Sequence, residues 1–312
     1  MGDIAIFSGS AHPDLAREIC EVLEANLLPT RLTRFANDCL EVQLEANCRE
    51  RDVFIIQPIV APVQEHLMEL LLMMDAARGA SAARITAVLP HYAYARSDKK
   101  DAPRISIGGR LVADLLATAG AQRVLTMTLH SPQVHGFFSM PVDHLHALRE
   151  LAQHFKGADL SNAVVVSPDF GNAKEAAAFA RMLGVGVAAA AKQRFSGDRV
   201  QISAIIGDVA GKDVIVLDDE IAKGTTIIEL VQHLRREKVS SIRVACTHGL
   251  FADGAAARIL AEAGVVELVC TNTAPVADVA ALPGLKVLSV APALAEAIRR
   301  IHNGESVSTL FG

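Results

Sequence analysis

The chain has 312 residues, more than one hydrophobic core usually serves, so two domains of about 150 residues each are expected. Apolar residues make up 51% of the chain and charged residues 21%, which is typical of a soluble globular protein. The net charge of −5, the absence of Trp and the lack of a Lys/Arg-rich block argue against a dedicated nucleic-acid-binding protein.

Membrane, export and disulfide signals are missing from the sequence. No apolar run approaches the roughly 18 uncharged residues that a membrane helix needs, and the N-terminal residues MGDIAIFSGS lack the basic region of a secretory signal. The five cysteines form no CxxC pair, which argues against structural zinc and against a disulfide framework. We therefore expect a cytoplasmic protein.

Short β-branched runs alternate with longer helical patterns along the whole chain. This alternation predicts α/β architecture with parallel sheets covered on both faces, and ligands of such sheets collect at the carboxyl ends of the strands. The helical patterns include PDLAREICEVLEANL, QEHLMELLLMMDAARG and TIIELVQHLRREK. The predicted strands are DIAIFSG, DVFIIQP, RITAVLP, RVLTMTL, AVVVSPD, VGVAAA, DVIVLDD, IRVACTHG and LKVLSVAP.

The chain shows a sign of internal duplication. The helix GGRLVADLLATAG, the strand RVLTMTL and His130 follow one another in the first half, and TTIIELVQHLRREK, IRVACT and His248 do so in the second. We therefore predict two similar α/β domains, residues 1–147 and 148–312. The C-terminal segment is a candidate for packing back on the first domain.

The first segment with chemical potential is HYAYARSDKKDAPRISIGGR, which follows the predicted strand ITAVLP. It places Arg96, Lys99, Lys100 and Arg104 among acidic side chains, and such a density of charge is too costly to bury unpaired. A mobile loop over polyphosphate and a solvated surface loop both fit this composition.

The second segment is TLHSPQVHGFFSMPVD, in which His130 lies just past a strand. A metal ligand or a phosphate contact would be placed at such a position, although a lone His is more often structural. The nearby His144 and His146 do not form the i, i+4 helical pair that chelates a metal, so we discount them as ligands.

The third segment, VVVSPDFGNAKEA, places Asp169 at the end of an apolar strand and Gly171 at the start of a predicted helix. A carboxylate in this position is a candidate contributor to a Mg²⁺ site. The structural alternative is that Asp169 caps the helix.

The fourth segment is AAAAKQRFSGDRV. We expect Lys192 and Arg194 to follow an all-apolar strand, in a loop that contains Gly197. Cations held on such a loop can offset the charge that develops during phosphoryl transfer.

The fifth segment, VIVLDDEIAKGTT, places Asp218 and Asp219 after an apolar strand. Adjacent strand residues point to opposite faces, so both carboxylates serve one ligand only if the strand ends at Asp218 and a turn redirects Asp219. The residues after them open a predicted helix at Ile227, whose N–H groups and dipole favour a phosphate. Sugar hydroxyls or a metal carried by the ligand would suit the carboxylates. Helix capping by Asp219 and Thr226 is the equally weighted alternative.

Several catalytic motifs are missing. The sequence contains no GxxxxGK[ST], no GxGxxG after a strand, no HExxH and no GxSxG. A P-loop kinase, a dinucleotide oxidoreductase and a serine hydrolase are therefore disfavoured.

Taken together and in this order, these segments resemble the ribose-phosphate pyrophosphokinase family, and the segment LHSPQVHGFFSMPVD is highly specific to that family. The resemblance implies a Mg²⁺-dependent transfer of the diphosphoryl group of ATP to the C1 hydroxyl of ribose 5-phosphate, with phosphoribosyl pyrophosphate and AMP as products. It also implies two phosphoribosyltransferase-like α/β domains, each a mainly parallel sheet flanked by helices. Active sites at an interface of a homo-oligomer, a dimer-based assembly of up to six chains, are implied as well.

The resemblance assigns roles to individual residues. His130 and Asp169 match the metal-binding pair, Lys192 the catalytic lysine and Arg194 a sugar-phosphate-binding arginine close to it. Asp218 and Asp219 match the pair that binds the ribose hydroxyls. The 5-phosphate loop corresponds to Ala222, Lys223, Gly224, Thr225 and Thr226, and the ATP-binding segments to Phe35, Asn37, Asp38, Cys39, Arg96, Ser97 and Lys99, with His130 contacting ATP as well.

The sequence departs from the family pattern on the ATP side. Asn37 and Cys39 replace acidic residues, Ser97 stands where Gln is common, and Thr128 precedes Leu-His where Asp is common.

Other departures lie on the ribose 5-phosphate side. Phe170 and Asn172 replace small residues beside Asp169. In the phosphate loop, Lys223 is an added cation, and the Cβ of Thr225, where Gly is common, is expected to crowd a backbone that must approach phosphate.

Three other functions are considered. A non-catalytic regulatory subunit of the same fold is the main alternative, and the presence of Lys192, Arg194, His130 and Asp169 argues against it. A phosphoribosyltransferase needs only one such domain and no ATP segment. A scaffold role has no feature in its favour.

Overall fold

The computed structural model describes residues 3–194, 200–262, 264–277 and 279–310, with the backbone alone for residues 193, 194, 200 and 201. The chain divides into two compact units, of which the first comprises residues 1–146 and 290–312 and the second residues 147–289. No helix in the described ranges is long and apolar enough to cross a membrane.

The first unit contains a six-stranded parallel sheet, in the order β2-β1-β5-β6-β7-β8. An antiparallel hairpin, β3–β4, forms a separate small sheet. These strands are β1 (Ile4–Ser8), β2 (Leu27–Leu28), β3 (Thr30–Arg34), β4 (Leu40–Leu44), β5 (Asp52–Ile56), β6 (Arg84–Leu89), β7 (Arg123–Met127) and β8 (Val142–Leu145).

The second unit contains a seven-stranded sheet, in the order β11-β10-β9-β12-β13-β14-β15. Only the β10–β11 pair is antiparallel, so the sheet is mainly parallel. Its strands are β9 (Ala163–Ser167), β10 (Gly186–Arg194), β11 (Val200–Ile206), β12 (Asp213–Ile221), β13 (Ser241–Gly249), β14 (Val265–Thr271) and β15 (Leu285–Leu288).

Helices cover these sheets. On β12, Val214 and Val216 pack in the cluster that includes the sixth and seventh helices, whereas Ile215 and Leu217 pack with the fourth and fifth. The continuous apolar runs of the sequence thus reflect strands that are buried on both faces. The helices are α1 (Pro13–Val22), α2 (Val63–Gly79), α3 (Gly108–Ala119), α4 (Leu148–Phe155), α5 (Ala173–Leu183), α6 (Thr225–Arg236), α7 (Ala255–Ala261) and α8 (Ala291–Asn303).

The predicted α/β fold of mainly parallel sheets flanked by helices is confirmed, with differences in detail. Each predicted strand has a counterpart, but the first helix ends at Val22 rather than Leu27. Glu24 adopts a positive φ of 52°, which a helix does not tolerate. The chain then enters the unpredicted strands β2, β3 and β4, and the sequence pattern also missed β8, β11 and β14.

Helix α8 belongs to the first unit, although the second unit separates the two in sequence. The guanidinium of Arg84 donates to the carbonyl of Ile301 at 3.0 Å, and Nδ1 of His302 lies 2.8 Å from Oδ2 of Asp52. The first unit is therefore assembled from both ends of the chain.

Candidate active site

The carboxyl edge of the second sheet gathers charged groups from three neighbouring strands, β10, β9 and β12. Asp218 and Asp219 lie near the end of β12 and are partly buried. Oδ1 of Asp218 accepts a hydrogen bond from the backbone N–H of Asp219 at 3.0 Å. The two carboxyl groups also share a hydrogen bond, which places adjacent residues at one site.

The Asp218 carboxyl has a perturbed affinity for its proton. Burial raises its pKa well above the usual value of 3.8, and the negative charge of Asp219, the hydrogen bond between the two carboxyl groups and the charge of Asp169 raise it further. The N–H of Asp219 offsets part of this effect. A protonated carboxyl beside a carboxylate offers both a hydrogen-bond donor and an acceptor to a neutral hydroxyl.

The condition set by strand geometry, that β12 ends at Asp218, is not met, because the strand continues to Ile221. Its pairing with β13 continues through Glu220 and His248 to Ile221 and Gly249. The meeting of the two carboxyl groups therefore comes from the local bond between Asp218 and Asp219, not from a turn.

The segment Ala222 to Thr226 connects β12 to α6. The helix begins at Thr225, two residues earlier than expected, after Gly224 as N-cap. Gly224 has a φ of 72°, and a Cβ added there would lie 3.0 Å from Cδ1 of Ile259. Glycine has no side chain to cap the helix, and Lys223 and Thr225 are exposed beside it. The first turn of α6 can thus present backbone N–H groups to an anion.

Lys192 lies within β10, which extends to Arg194, so the expectation of a loop directly after residue 190 is wrong. Pairing of β10 with β11 shifts register between Ala191 and Lys192 and continues beyond it. The Nζ of Lys192 lies 3.7 Å from Oδ2 of Asp169, and only 13% of the lysine side chain is exposed. The side chain of Arg194 and the whole of Gly197 fall outside the described part of the chain.

Asp169 lies in the loop between β9 and α5. Its Oδ1 accepts the backbone N–H of Asn172 at 3.2 Å, and its carbonyl accepts the hydroxyl of Ser167 at 2.6 Å. The N-cap of α5 is Asn172 rather than Asp169. The carboxylate of Asp169 is 37% exposed and keeps one oxygen turned to Lys192.

The candidate metal-binding side chains are those of Asp169 and His130. The described residues contain no group of three or more His, Cys, Asp or Glu side chains that could hold a metal ion. Protein-bound Mg²⁺ commonly uses one or two carboxylates together with waters and substrate phosphates, so a full protein cage is not required. The exposed carboxylate of Asp169 fits this role. The imidazole of His130 is a less usual ligand for Mg²⁺.

In the first unit, His130 is exposed at the end of a constrained turn after β7. Thr128 adopts a positive φ of 43°, which is a rare conformation for a β-branched residue. Two contacts from the β8 segment hold the turn: the N–H of Thr128 donates to the carbonyl of Leu145 at 2.8 Å, and that of Leu129 to Nε2 of His144 at 2.8 Å.

The imidazole of His144 also packs against that of His146, with ring centroids 4.5 Å apart. Burial lowers the pKa of His146. His144 therefore supports the backbone before His130, a contribution that the sequence did not reveal.

The hairpin β3–β4 presents Phe35, Asn37, Asp38 and Cys39 in its connecting turn. The side chain of Phe35 is 49% exposed. Asp38 pairs with Arg34 at 2.5 Å, and Oδ1 of Asn37 accepts the N–H of Cys39 at 3.3 Å. Asn37 thus stabilises the turn from within and leaves the aromatic ring accessible.

Arg96 and Ser97 lie at the end of a short 3₁₀ helix that packs on the start of α3. The hydroxyl of Ser97 accepts the N–H of Gly108 at 2.8 Å, which closes the charged loop between them.

The start of α3 packs closely against both neighbouring segments. A Cβ at Gly109 would lie 2.9 Å from the carbonyl of Tyr94 and 3.6 Å from the ring of Phe137. The start of α3 therefore brings the Arg96 segment and the segment after His130 together, while Lys99 remains exposed beside Asp101.

The described architecture defines a two-unit α/β protein whose charged groups collect at the carboxyl ends of parallel strands. Residues 4–120 match the family model described as the N-terminal domain of ribose phosphate pyrophosphokinase, and residues 200–312 match the phosphoribosyl synthetase-associated domain. A Deinococcus radiodurans protein named ribose-phosphate pyrophosphokinase is 51% identical over 99% of this chain and 98% of its own length. The chain belongs to the ribose-phosphate pyrophosphokinase family.

Two further comparisons agree with this assignment. A Streptomyces coelicolor protein, named provisionally as a ribose-phosphate pyrophosphokinase, is 73% identical over 100% of this chain and 98% of its own length. The crystal structure of phosphoribosylpyrophosphate synthetase from Mycobacterium smegmatis superimposes with a TM-score of 0.90 at 40% identity, covering 97% of this chain and 99% of that one.

Proposed function

We propose that this chain is an ATP-dependent ribose-phosphate diphosphokinase, which transfers the diphosphoryl group of ATP to the C1 hydroxyl of ribose 5-phosphate. The observation that carries the proposal is the grouping on neighbouring strands of one unit. There the Lys192–Asp169 pair, the Asp218–Asp219 pair and the helix start at Gly224 share the carboxyl edge of the sheet. A cation, sugar-binding carboxyls and an anion-binding helix start are the groups that this reaction requires.

Ribose 5-phosphate is proposed to bind along the end of β12. Asp218 and Asp219 would bind the ribose hydroxyls. The raised pKa of Asp218 favours its protonated form, which can donate to a neutral hydroxyl group, and carboxyl oxygens can accept from one. The phosphate would lie on the backbone N–H groups of Ala222, Lys223, Gly224, Thr225 and Thr226. Arg258 donates to the carbonyl of Lys223 at 2.9 Å and so holds the loop from behind.

ATP is proposed to bind to residues of the first unit. Exposed aromatic and cationic side chains suit a nucleotide, because an aromatic ring stacks on a base and cations attract phosphates. Phe35 supplies the aromatic ring, and Arg96 and Lys99 supply cations. The other residues to which the resemblance assigns ATP binding are Asn37, Asp38, Cys39, Ser97 and His130.

In the proposed reaction, the C1 oxygen forms a bond to the β-phosphorus of ATP. The bond from that phosphorus to the oxygen bridging the α- and β-phosphates breaks, AMP leaves, and the hydroxyl proton is released to solvent. Lys192 and Arg194 would offset the negative charge that develops on the transferred group. Bound Mg²⁺ would supply further charge neutralisation. In the second unit Asp169 would contribute to its binding, and the resemblance implies metal binding by His130 of the first unit.

The first experiment separates the nucleotides after incubation of the purified protein with ATP. We expect AMP only when ribose 5-phosphate and Mg²⁺ are both present. Lys192→Ala should lower the rate of AMP formation at least about a hundredfold, since it removes a cation aimed at the transferred group. Lys286→Ala is the matched control, because Lys286 is an exposed strand lysine of the same sheet.

Equal rates for the Lys192→Ala and Lys286→Ala variants would contradict the role of Lys192. If ribose 5-phosphate or nucleotide binds but no AMP forms, the chain is instead a non-catalytic regulatory subunit.

We also propose that the protein is a cytoplasmic homo-oligomer, a dimer-based assembly of up to six chains. The exposed apolar side chains of Met68 on α2 and of Leu111 and Leu115 on α3 are consistent with association between chains. Sedimentation velocity over a range of concentrations tests this, and a single species with the mass of one chain would contradict it.

A further inference from the structure

Asn172, the N-cap residue of α5, uses its side chain in an unexpected way. Asn is favoured at this position because its side-chain oxygen normally accepts an N–H from the first turn of the helix. The side chain of Asn172 makes no such bond. Its Nδ2 instead donates to the carbonyl of Leu217 at 2.8 Å, on the neighbouring strand β12.

Asn172 thereby connects two parts of the candidate site. Its backbone N–H donates to Oδ1 of Asp169 at 3.2 Å, while its side chain bonds to Leu217, the residue directly before Asp218. One residue therefore contacts both the loop that carries Asp169 and the strand that carries the carboxyl pair.

We propose that Asn172 is a positioning residue, which holds the Asp169–Lys192 pair at a fixed distance from the ribose-binding carboxyls Asp218 and Asp219. This inference rests on the function proposed above and adds a residue to its machinery. Asn172 does not touch the reacting atoms in this scheme, and it acts through the two segments that it joins.

The charges of the site favour a neutral side chain at residue 172. Asp169 is close enough to Asp218 for its negative charge to disfavour ionisation of that carboxyl. The amide of Asn172 joins the two segments without adding a charge, whereas an Asp in its place would repel both the Leu217 carbonyl and Asp169.

The same sheet provides a matched control at the amino ends of its strands, opposite the candidate site. Asn162 precedes β9, and its Nδ2 donates to the carbonyl of Gly211, before β12, at 2.8 Å. The bond type, the length and the two strands joined are the same for Asn162 as for Asn172. Only the Asn172 bond lies beside the candidate site.

The test compares Asn172→Ala, Asn172→Asp and Asn162→Ala by steady-state kinetics and by calorimetric titration with ribose 5-phosphate. We expect Asn172→Ala to lower kcat about tenfold to a hundredfold, because misplacement by about 1 Å is enough for such a loss. Its KM for ribose 5-phosphate should change little, since the carboxyls themselves remain. Asn172→Asp should be at least as impaired, and Asn162→Ala should match the unmodified protein.

Hydrogen exchange of residues 168–172 reads the position of the loop independently of turnover. Faster exchange there in Asn172→Ala, with the rest of α5 unchanged, supports the proposal. If Asn172→Ala does not fold, Asn172→Ser replaces it, because Ser can cap the helix but lacks the amide donor. Unchanged kcat and unchanged loop exchange, or equal losses in Asn162→Ala, would overturn the proposal.

A failure of the proposed function would be distinguishable from a failure of this inference. An unmodified protein that forms no AMP overturns the diphosphokinase reaction. Hydrogen exchange would still decide whether Asn172 holds the Asp169 loop against β12.

Discussion

Among single residues, Asp218 combines a cost in stability with a proposed role in binding. Its carboxyl is raised in pKa by burial and by the neighbouring charges of Asp219 and Asp169. The folded protein therefore holds this proton more tightly than the unfolded chain does. Ligand-binding sites commonly retain such unfavourable groups because the substrate, not the protein, satisfies them.

The raised pKa of Asp218 predicts how stability depends on pH. The shift has no effect on the free energy of unfolding while the carboxyl is protonated in both the folded and the unfolded protein. The free energy of unfolding then falls as the pH rises from the usual pKa of 3.8 through the raised pKa. Asp218→Asn mimics the protonated form, so it should remove this decline, stabilise the protein at neutral pH and weaken ribose 5-phosphate binding.

Urea unfolding at several pH values between about 5 and 8 checks this prediction. The control is Asp208→Asn, which changes an exposed carboxylate of the same unit. An identical dependence on pH in the Asp218→Asn variant and the unmodified protein would show that Asp218 is ionised without cost.

Gly224 is required by two separate features of the phosphate loop. Its φ is 72°, which costs a residue with a Cβ about 1–2 kcal/mol, and the added Cβ would also meet Ile259 at 3.0 Å. Gly184 has a similar φ of 71° but nothing within 4 Å of an added Cβ. Gly224→Ala should therefore lower the free energy of unfolding by about 1 kcal/mol more than Gly184→Ala. Chemical denaturation measures the difference, and equal losses would mean that Ile259 moves aside freely.

At the scale of elements, α8 is attached to the first unit by a polar network as well as by its apolar face. Oδ1 of Asp52 accepts Nε–H of Arg84 at 2.8 Å, and its other oxygen contacts His302 of α8. Asp52 is buried, with 8% of its side chain exposed. The hydrogen bond with Asp52 raises the pKa of Arg84 and keeps its guanidinium charged.

Loss of the Asp52 carboxylate should loosen α8. Asp52→Ala leaves Arg84 partly buried without its counter-ion, and we expect the free energy of unfolding to fall by about 1–3 kcal/mol. This is less than the loss for a fully buried pair, because a third of the Arg84 side chain is exposed. Hydrogen exchange should accelerate in Ala291–Asn303. Asp143→Ala breaks the comparable pair with Arg123 and should leave exchange in α8 unchanged, so that equal acceleration in both variants would refute a specific attachment.

For the whole molecule, the two units contain separate apolar clusters. One is built on β1, β5 and β6 of the first sheet, and others on β9, β12 and β13 of the second. A substitution inside one cluster should therefore act mainly on its own unit, because sites without shared partners behave additively.

Two of the variants above test this division. We expect faster hydrogen exchange in elements of the first unit, such as β5, for Asp52→Ala, and in α6 and β12 of the second unit for Gly224→Ala. Each variant should leave the other unit at its original rate. Uniform acceleration along the chain in either variant would mean that the two units unfold as one.

Much of the architecture follows from local features of the sequence. The alternation of apolar runs with helical patterns predicts the order of most strands and helices, because hydrophobic periodicity is a property of neighbouring residues. The acidic residues that follow the apolar runs, Asp169, Asp218 and Asp219, can be located from the same local pattern. Short edge strands such as β2 and β8 escaped prediction because two to four residues carry too little periodicity.

Only the tertiary structure decides which of these strand ends are neighbours. The sheet places β9 between β10 and β12, so Asp169 meets Lys192 on one side and is joined through Asn172 to β12 on the other. It likewise assigns α8 to the first unit, far from it in sequence. Sheet order and helix docking depend on the burial of distant apolar faces against one another, and no local pattern of residues contains that information.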